Sequence, residues 1–339
     1  MNTDLIDWIV VLAVGLTAAV STFAWRPVLI KVGVVDIPNH RSSHARPTLR
    51  GGGVAPLTAL SALLLLGSVL WRFRAEFDMM LLTLGAAIIT GLLGLAEDIW
   101  GLPASMRALG QALIGTLLSL GLSTLSHTGW MLIPIAALFF VSNVNFTNFM
   151  DGINGISGLY AVSIGLVFSL IGHKLDLQLL VLVSASVAVA FAVFLFWNLT
   201  PPGMFLGDVG SYLLGGVTAG LALYAAWFGI PLIAVFAPFC IYWADAIFTL
   251  TKRSIAGQPI FEAHRMHTYQ RLTDFGLSHI QVAIVVNVFT LLAGIVGLFA
   301  IGSTLQVSLI VVGVLVALCG VYLSLPSFLG HRKVGTCES

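Results

Sequence analysis

Residues 177–197 read LQLLVLVSASVAVAFAVFLFW, an apolar run without one charged side chain. A helix rises about 1.5 Å per residue, so a run of this length crosses the roughly 30 Å hydrocarbon layer of a bilayer. Within lipid a helix also satisfies every backbone polar group inside one segment. The run ends at Asn198 and turns through NLTPPGMFLGD (198–208) before the next apolar stretch begins. That unit, a span followed by a short polar turn, recurs along the whole chain.

Similar runs lie near residues 5–24, 53–71, 79–96, 108–125, 130–147, 156–172, 209–226, 231–250, 280–302 and 305–325. Together they predict an all-α fold, a polytopic transmembrane helical bundle of about 11 spans. No internal repeat, low-complexity tract or long linker divides the chain, so residues 1–339 are read as a single integral-membrane domain. Composition agrees: 58% of residues are hydrophobic and 9% charged, too little charge to cover a soluble globule. The opening MNTDLIDWIV carries acids where a signal peptide has a basic region, so no removable leader is expected. Cys240, Cys319 and Cys337 are too far apart for a metal knuckle or a disulfide framework and are read as packing residues.

A formal net charge of +1 speaks against a nucleic-acid partner, which requires a basic stripe. Charge reports orientation instead. With the N-terminus outside, about twelve of the fifteen Lys and Arg residues fall on the inner side, and only Arg72, Arg74 and Lys174 on the other. The positive-inside rule therefore predicts N-terminus out and C-terminus in. On that reading five polar segments share the inner face: DIPNHRSSHARPTLRGGG, EDIWGLPASMR, NFMDGING, NLTPPGMFLGD and KRSIAGQPIFEAHRMHTYQRLTD.

Each segment has a plain reading and a chemical one. In NFMDGINGIS (148–157) Gly, Asn and Asp suit a tight turn, yet Asn148 and Asp151 are one helical turn apart and can aim oxygens at one point. In FLGDVGS, Asp208 is either the N-cap of the next span or an acid placed where helix amides favour anions. Asn198 and Phe205 precede it, the latter able to stack on a base or simply to lie at the interface. Glu97 and Asp98 in LAEDIWG follow an apolar span directly; burying a carboxylate there costs several kcal/mol unless it is paired, which suggests a divalent cation.

His264, Arg265 and His267 in HRMH can donate to phosphate oxygens. Arg41, Arg46 and Arg50 precede three glycines whose amides could face an anion, although the same basic loop would serve as a topology signal alone. Oxygen ligands without cysteine point to Mg2+, with Mn2+ as a substitute. Asp245 lies about two turns inside its span, either as a functional acid or as one paired with a neighbouring helix.

From about residue 35 to 272 the five segments, in this order, resemble the polyprenyl-phosphate N-acetylhexosamine-1-phosphate transferase family, a glycosyltransferase family 4-like group that includes phospho-N-acetylmuramoyl-pentapeptide transferase. NFMDGINGISG and FLGDVGS are the most specific parts, and RSSHARPTLRGGG with HRMHTYQRL resembles the branch serving O-antigen and related surface polysaccharides. The resemblance implies a bacterial inner-membrane enzyme whose site faces the cytoplasm. It implies transfer of a sugar 1-phosphate from a UDP-N-acetyl sugar to a polyprenyl phosphate, with Mg2+, releasing UMP. By motif it makes Asp208 and Asn148 metal ligands. Asp151, Asn154, Asn198 and Phe205 line the nucleotide pocket, Arg46 and Arg50 assist, and His264, Arg265 and His267 lie near the phosphates. Asp98 matches the second acid of the family's pair; Glu97 departs from the usual Asp by one methylene. The sequence leaves room for a homodimer.

Two other classes are compatible with the pattern. A transporter has as many spans but places its polar site near the midplane, often between repeated halves. An intramembrane aspartyl protease would pair Asp208 with Asp245, and FLGD lacks the first glycine of its motif because Phe205 stands there.

Overall fold

The structure is a computed structural model that describes residues 3–36, 47–127, 129–201, 203–258 and 265–335, with side chains described between 5 and 329. The first half runs α1 (Thr3–Val32), β1 (Val35–Asp36), β2 (Thr48–Leu49), α2 (Val54–Leu70), α3 (Phe77–Trp100), α4 (Ala104–Ser126) and α5 (Ile133–Met150). It continues through α6 (Ile156–Lys174), α7 (Gln178–Leu199), α8 (Gly207–Trp227), α9 (Leu232–Phe236), α10 (Cys240–Ile255), α11 (Thr268–Asp274), α12 (His279–Leu298) and α13 (Leu305–Gly335). Ten segments among the described residues are long and apolar enough to cross a membrane, with α9 and α10 counted as one. The shorter apolar α2, 17 residues, is the eleventh. The polytopic helical bundle expected from the sequence is therefore observed.

The α9–α10 span is broken by a 3-10 turn at Ala237–Phe239, where Pro238 lacks an amide hydrogen and crowds the preceding turn. Elsewhere the helices run longer than the apolar runs. Glu97 and Asp98 belong to the last turn of α3, and the connection to α4 shrinks to residues 101–103. Acids can stay helical there because, as described below, each finds a cationic partner.

The α8 helix is the hub, buried along almost its whole length. Lipid tails are as apolar as leucine, so helices associate in a membrane through close packing and interhelical hydrogen bonds, and α8 has the small residues that this requires. Gly215 lies against the α5 backbone at Val144, and Gly216 against Ala87 and Thr90 of α3. Asn143 of α5 donates from Nδ2 to the Gly215 carbonyl and to Thr218 Oγ1, both at 2.9 Å.

The start of α8 is the tightest point. A Cβ on Gly53 would strike the backbone of Gly210, and one on Gly94 would strike the Asp208 carbonyl. Side-chain-free backbone lets residues 49–53 zip along 204–206. Phe205 donates to the Leu49 carbonyl at 2.8 Å, Gly52 to Phe205 O at 2.9 Å and Gly53 to Leu206 O at 2.8 Å. This corrects the expectation for the triple glycine: the Gly52 and Gly53 amides are engaged in joining two loops rather than offered to an anion.

Candidate active site

Four of the five polar segments meet at one end of the bundle around the first turn of α8. Asp98, whose side chain is fully buried, accepts the Asp208 N–H at Oδ1 (3.1 Å) and the Val209 N–H at Oδ2 (2.9 Å). These are amides that a helix start leaves without intrahelical partners, and the macrodipole favours a negative charge there. Asp98, from a helix over 100 residues upstream in sequence, thus caps α8, and Asp208 is not the N-cap. Gly207, held at φ +75, supplies the left-handed backbone that turns the chain into α8; a Cβ there would press on Asp98 Oδ2 and on the Gly51 amide.

Asp208 points its own carboxylate outward from this turn, 13% exposed. Arg50 bridges the acids, Nε to Asp98 Oδ1 and Nη2 to Asp208 Oδ2, both at 2.9 Å. Two adjacent carboxylates in a poorly hydrated place repel each other, and the planar guanidinium fork answers both at once.

Asn148, in the last turn of α5, donates from Nδ2 to Asp208 Oδ1 (2.8 Å) and to Ser211 Oγ (2.9 Å). One turn on, Asp151 is the C-cap of α5 and accepts Ser157 Oγ–H at 2.6 Å. Burial raises the Asp151 carboxyl to about 7, with the Ser157 hydrogen bond pulling the other way. Asn148 and Asp151 lie one turn apart at the end of α5, but Asn148 offers its Nδ2 to Asp208 while Asp151 is bonded to Ser157.

Asn198, 7% exposed, has a different place from the pocket lining expected. Its Oδ1 accepts the Gly155 N–H at 2.6 Å and its Nδ2 donates to Met204 O at 3.0 Å, clamping the 151–155 turn to the loop before α8. Phe205 is half-buried in that loop, and Asn154 is half-buried in the 151–155 turn. Arg46 and His264 lie outside the described residues.

Glu97 turns away from Asp98. Its Oε1 pairs with Arg107 Nη1 of α4 at 3.2 Å, and the same nitrogen is 3.3 Å from Tyr212 OH of α8. The longer side chain thus serves a second polar group one turn along α8 from Asp208. Arg107, Ser211 and Tyr212 escaped sequence reading. Arg107 closes the EDIWGLPASMR segment, and its basic charge in the same segment as two acids was the available signal; Ser211 and Tyr212 gave none, being ordinary residues in an apolar run.

The histidine segment reaches the site by way of α11. Tyr269 OH donates to the Phe149 carbonyl at 3.1 Å and lies directly over Gly152. Arg265 is the exposed member, 3.5 Å from Asp274. His267 is only 3% exposed, and its Nδ1 faces Asp245 Oδ1 at 3.2 Å, so that nitrogen is turned from the phosphates it was expected to meet. Asp245 pairs with this segment and not with Asp208, which removes the aspartyl-protease arrangement.

The Asp208 carboxylate suits a hard divalent cation, whereas Asn148 turns its Nδ2 to Asp208 and would have to turn its amide over to offer Oδ1. Among the described residues no three His, Cys, Asp or Glu side chains are grouped as a metal cage, so protein ligands alone would leave most of the coordination shell to phosphates and water.

These features define a multi-span membrane protein with an acidic, arginine-bridged site at the helix ends. Comparison with known proteins shows what the chain resembles. The model of the family described as Glycosyl transferase family 4 matches residues 80–226. A Bacillus subtilis (strain 168) protein described as a probable undecaprenyl-phosphate N-acetylglucosaminyl 1-phosphate transferase is 29% identical, covering 89% of this chain and 87% of its own. A Mycobacterium tuberculosis (strain CDC 1551 / Oshkosh) decaprenyl-phosphate N-acetylglucosaminephosphotransferase is 28% identical, over 86% and 81% of the two chains. The phospho-N-acetylmuramoyl-pentapeptide-transferase of Halalkalibacterium halodurans is 27% identical, over 70% and 78%. Over most of its length the chain is similar to these polyprenyl-phosphate sugar-1-phosphate transferases.

Proposed function

We propose that this protein transfers N-acetylhexosamine 1-phosphate from a UDP-sugar to a polyprenyl phosphate, undecaprenyl phosphate in a bacterial inner membrane. The products are polyprenyl-diphospho-sugar and UMP. The observation that carries the reading is the Arg50-bridged pair Asp98 and Asp208 with Asn148 on the same carboxylate, four loops converging at one end of the bundle. A carrier would place such a site at the midplane. The relatives named above act on N-acetylglucosamine donors or the muramoyl pentapeptide, and UDP-GlcNAc is the first donor to test. The basic loops 41–50 and 252–271 support a cytoplasmic location for this end, where a nucleotide sugar is available. The product is then the first lipid-linked intermediate of a surface polysaccharide of the O-antigen type.

Asp208 and Asn148 would hold Mg2+, which supplies neutralising charge to the donor diphosphate and the departing UMP. A phosphate monoester whose second pKa is near ~6 is mostly dianionic at neutral pH, so the lipid phosphate needs little base assistance. Its oxygen attacks the sugar-bearing phosphorus, and the bond from that phosphorus to the bridging oxygen breaks, the electron pair leaving on UMP. Arg50 and Arg265 donate to phosphate oxygens. Asp98, buried with both oxygens occupied by amides and Arg50, is poorly placed as a covalent nucleophile, which favours direct transfer.

Purified protein given UDP-GlcNAc, undecaprenyl phosphate and Mg2+ is expected to form UMP and a lipid diphospho-sugar, detected by mass spectrometry, and to stop on chelation. Formation of neither product with any UDP-N-acetyl sugar would overturn the reading.

A further inference from the structure

Asp245 is fully buried in the membrane-spanning α10 and has no direct place in the transfer just described. An intramembrane carboxylate costs several kcal/mol unless its oxygens are satisfied. Here five groups converge on it. Oδ1 accepts the Thr268 N–H at 2.9 Å and Thr249 Oγ1–H at 3.3 Å and faces His267 Nδ1 at 3.2 Å. Oδ2 accepts Tyr322 O–H of α13 at 2.6 Å and the Tyr269 N–H at 3.3 Å.

Most of these groups belong to one structural unit. His267, Thr268 and Tyr269 are the entry and first turn of α11, so Asp245 caps that helix from beneath. A carboxylate only accepts, so its contact with His267 places the proton of a neutral imidazole on Nδ1. From α11 the connection continues outward: Tyr269 OH holds the Phe149 carbonyl, next to Asn148, and packs over Gly152, next to Asp151. Arg265 precedes the pinned His267 by two residues.

We propose that Asp245 is a positioning residue for the transferase site. By holding His267 and the first turn of α11 it sets where Arg265 and the Asn148–Asp151 turn stand, and Tyr322 ties α13 into the same arrangement. The proposal rests on the transferase reading for its functional consequence and on geometry alone for its structural one.

The test is Asp245→Asn, which keeps the shape and turns one acceptor into a donor. The expected result is a KM for UDP-GlcNAc raised about tenfold, the scale of one or two lost hydrogen bonds. Arg265→Ala is expected to raise KM in the wild type but to add little in Asp245→Asn. A merely structural acid would lower the folded fraction, hence apparent kcat, and leave KM unchanged. A KM within about twofold of wild type, or full additivity with Arg265→Ala, overturns the proposal.

Should Asp245→Asn fail to fold, Tyr322→Phe removes one donor from the same carboxylate, with a KM rise of about threefold expected and an unchanged KM contradicting it. Nitrogen NMR of histidine-labelled protein reads the other half without turnover. His267 should be the Nδ1-protonated tautomer in wild type and should shift in either variant; an unmoved signal overturns the proposal. A wild type without turnover sinks the transferase reading alone, and the NMR comparison still decides the role of Asp245.

Discussion

Asp98 caps the helix that presents Asp208: its two oxygens take the Asp208 and Val209 amides at 3.1 and 2.9 Å. Two acids that look alike in sequence thus stand in different surroundings, one fully buried with both oxygens bonded to backbone amides, the other 13% exposed. Asp98→Asn is expected to destabilise the fold by about 1–3 kcal/mol through the weakened cap and broken Arg50 pair. Asp208→Asn is expected to fold like wild type and to lose about a thousandfold or more in turnover. Thermal unfolding in detergent and UMP release measure the two effects, and the opposite pattern would reverse the assignment.

Arg50 stands between both carboxylates, so its removal leaves their charges facing each other. Arg50→Ala is therefore expected to unfold at lower temperature than wild type and to recover more stability from added Mg2+ than wild type does. Equal stabilisation of the two proteins by Mg2+ would show that Arg50 does not answer this repulsion.

At Gly53 any side chain meets the backbone of Gly210, whereas Gly313 on α13 faces open space. Gly53→Ala should cost about 1–3 kcal/mol or more by overpacking and lower the yield of folded protein. Gly313→Ala should be neutral or slightly stabilising, because alanine favours helix. Comparable melting temperatures for the two variants would contradict the packing account.

Burial raises the Asp151 carboxyl to about 7. A raised carboxyl binds its proton more tightly in the folded chain than in the unfolded one, where it titrates near ~3.9. Its contribution is fully present below about pH 4 and is lost as pH rises through about 7. In metal-free buffer the wild type should lose stability across that window relative to Asp151→Asn, which carries no such titration. Parallel stability curves for the two proteins from pH 5 to 8 would refute this.

The spans were legible because hydrophobic runs and bilayer thickness together fix them, and the meeting of the Arg50, Asp98, Asn148 and Asp208 segments was expected from their shared side of the membrane and from the family resemblance. What the sequence hid were relationships between distant segments. Nothing local says that the cap of α8 comes from Asp98, that Gly52 and Gly53 zip onto residues 205–206, or that Asn198 clamps two loops rather than lining a pocket. Nor does the sequence say that His267 faces the buried Asp245 through Nδ1. A composition scan registers acids and amides but not which backbone groups they must satisfy, and at this site those backbone obligations decide the roles.

The central claim, that Asp208 anchors a site joining a nucleotide sugar to a lipid phosphate directly, is tested by following UDP-GlcNAc radiolabelled in its β-phosphate. With undecaprenyl phosphate and Mg2+ the label should enter the lipid as UMP is released in equal amount, with neither event in the absence of lipid and neither in Asp208→Asn. Label on the protein, UMP release without acceptor, or wild-type turnover by Asp208→Asn would contradict the account.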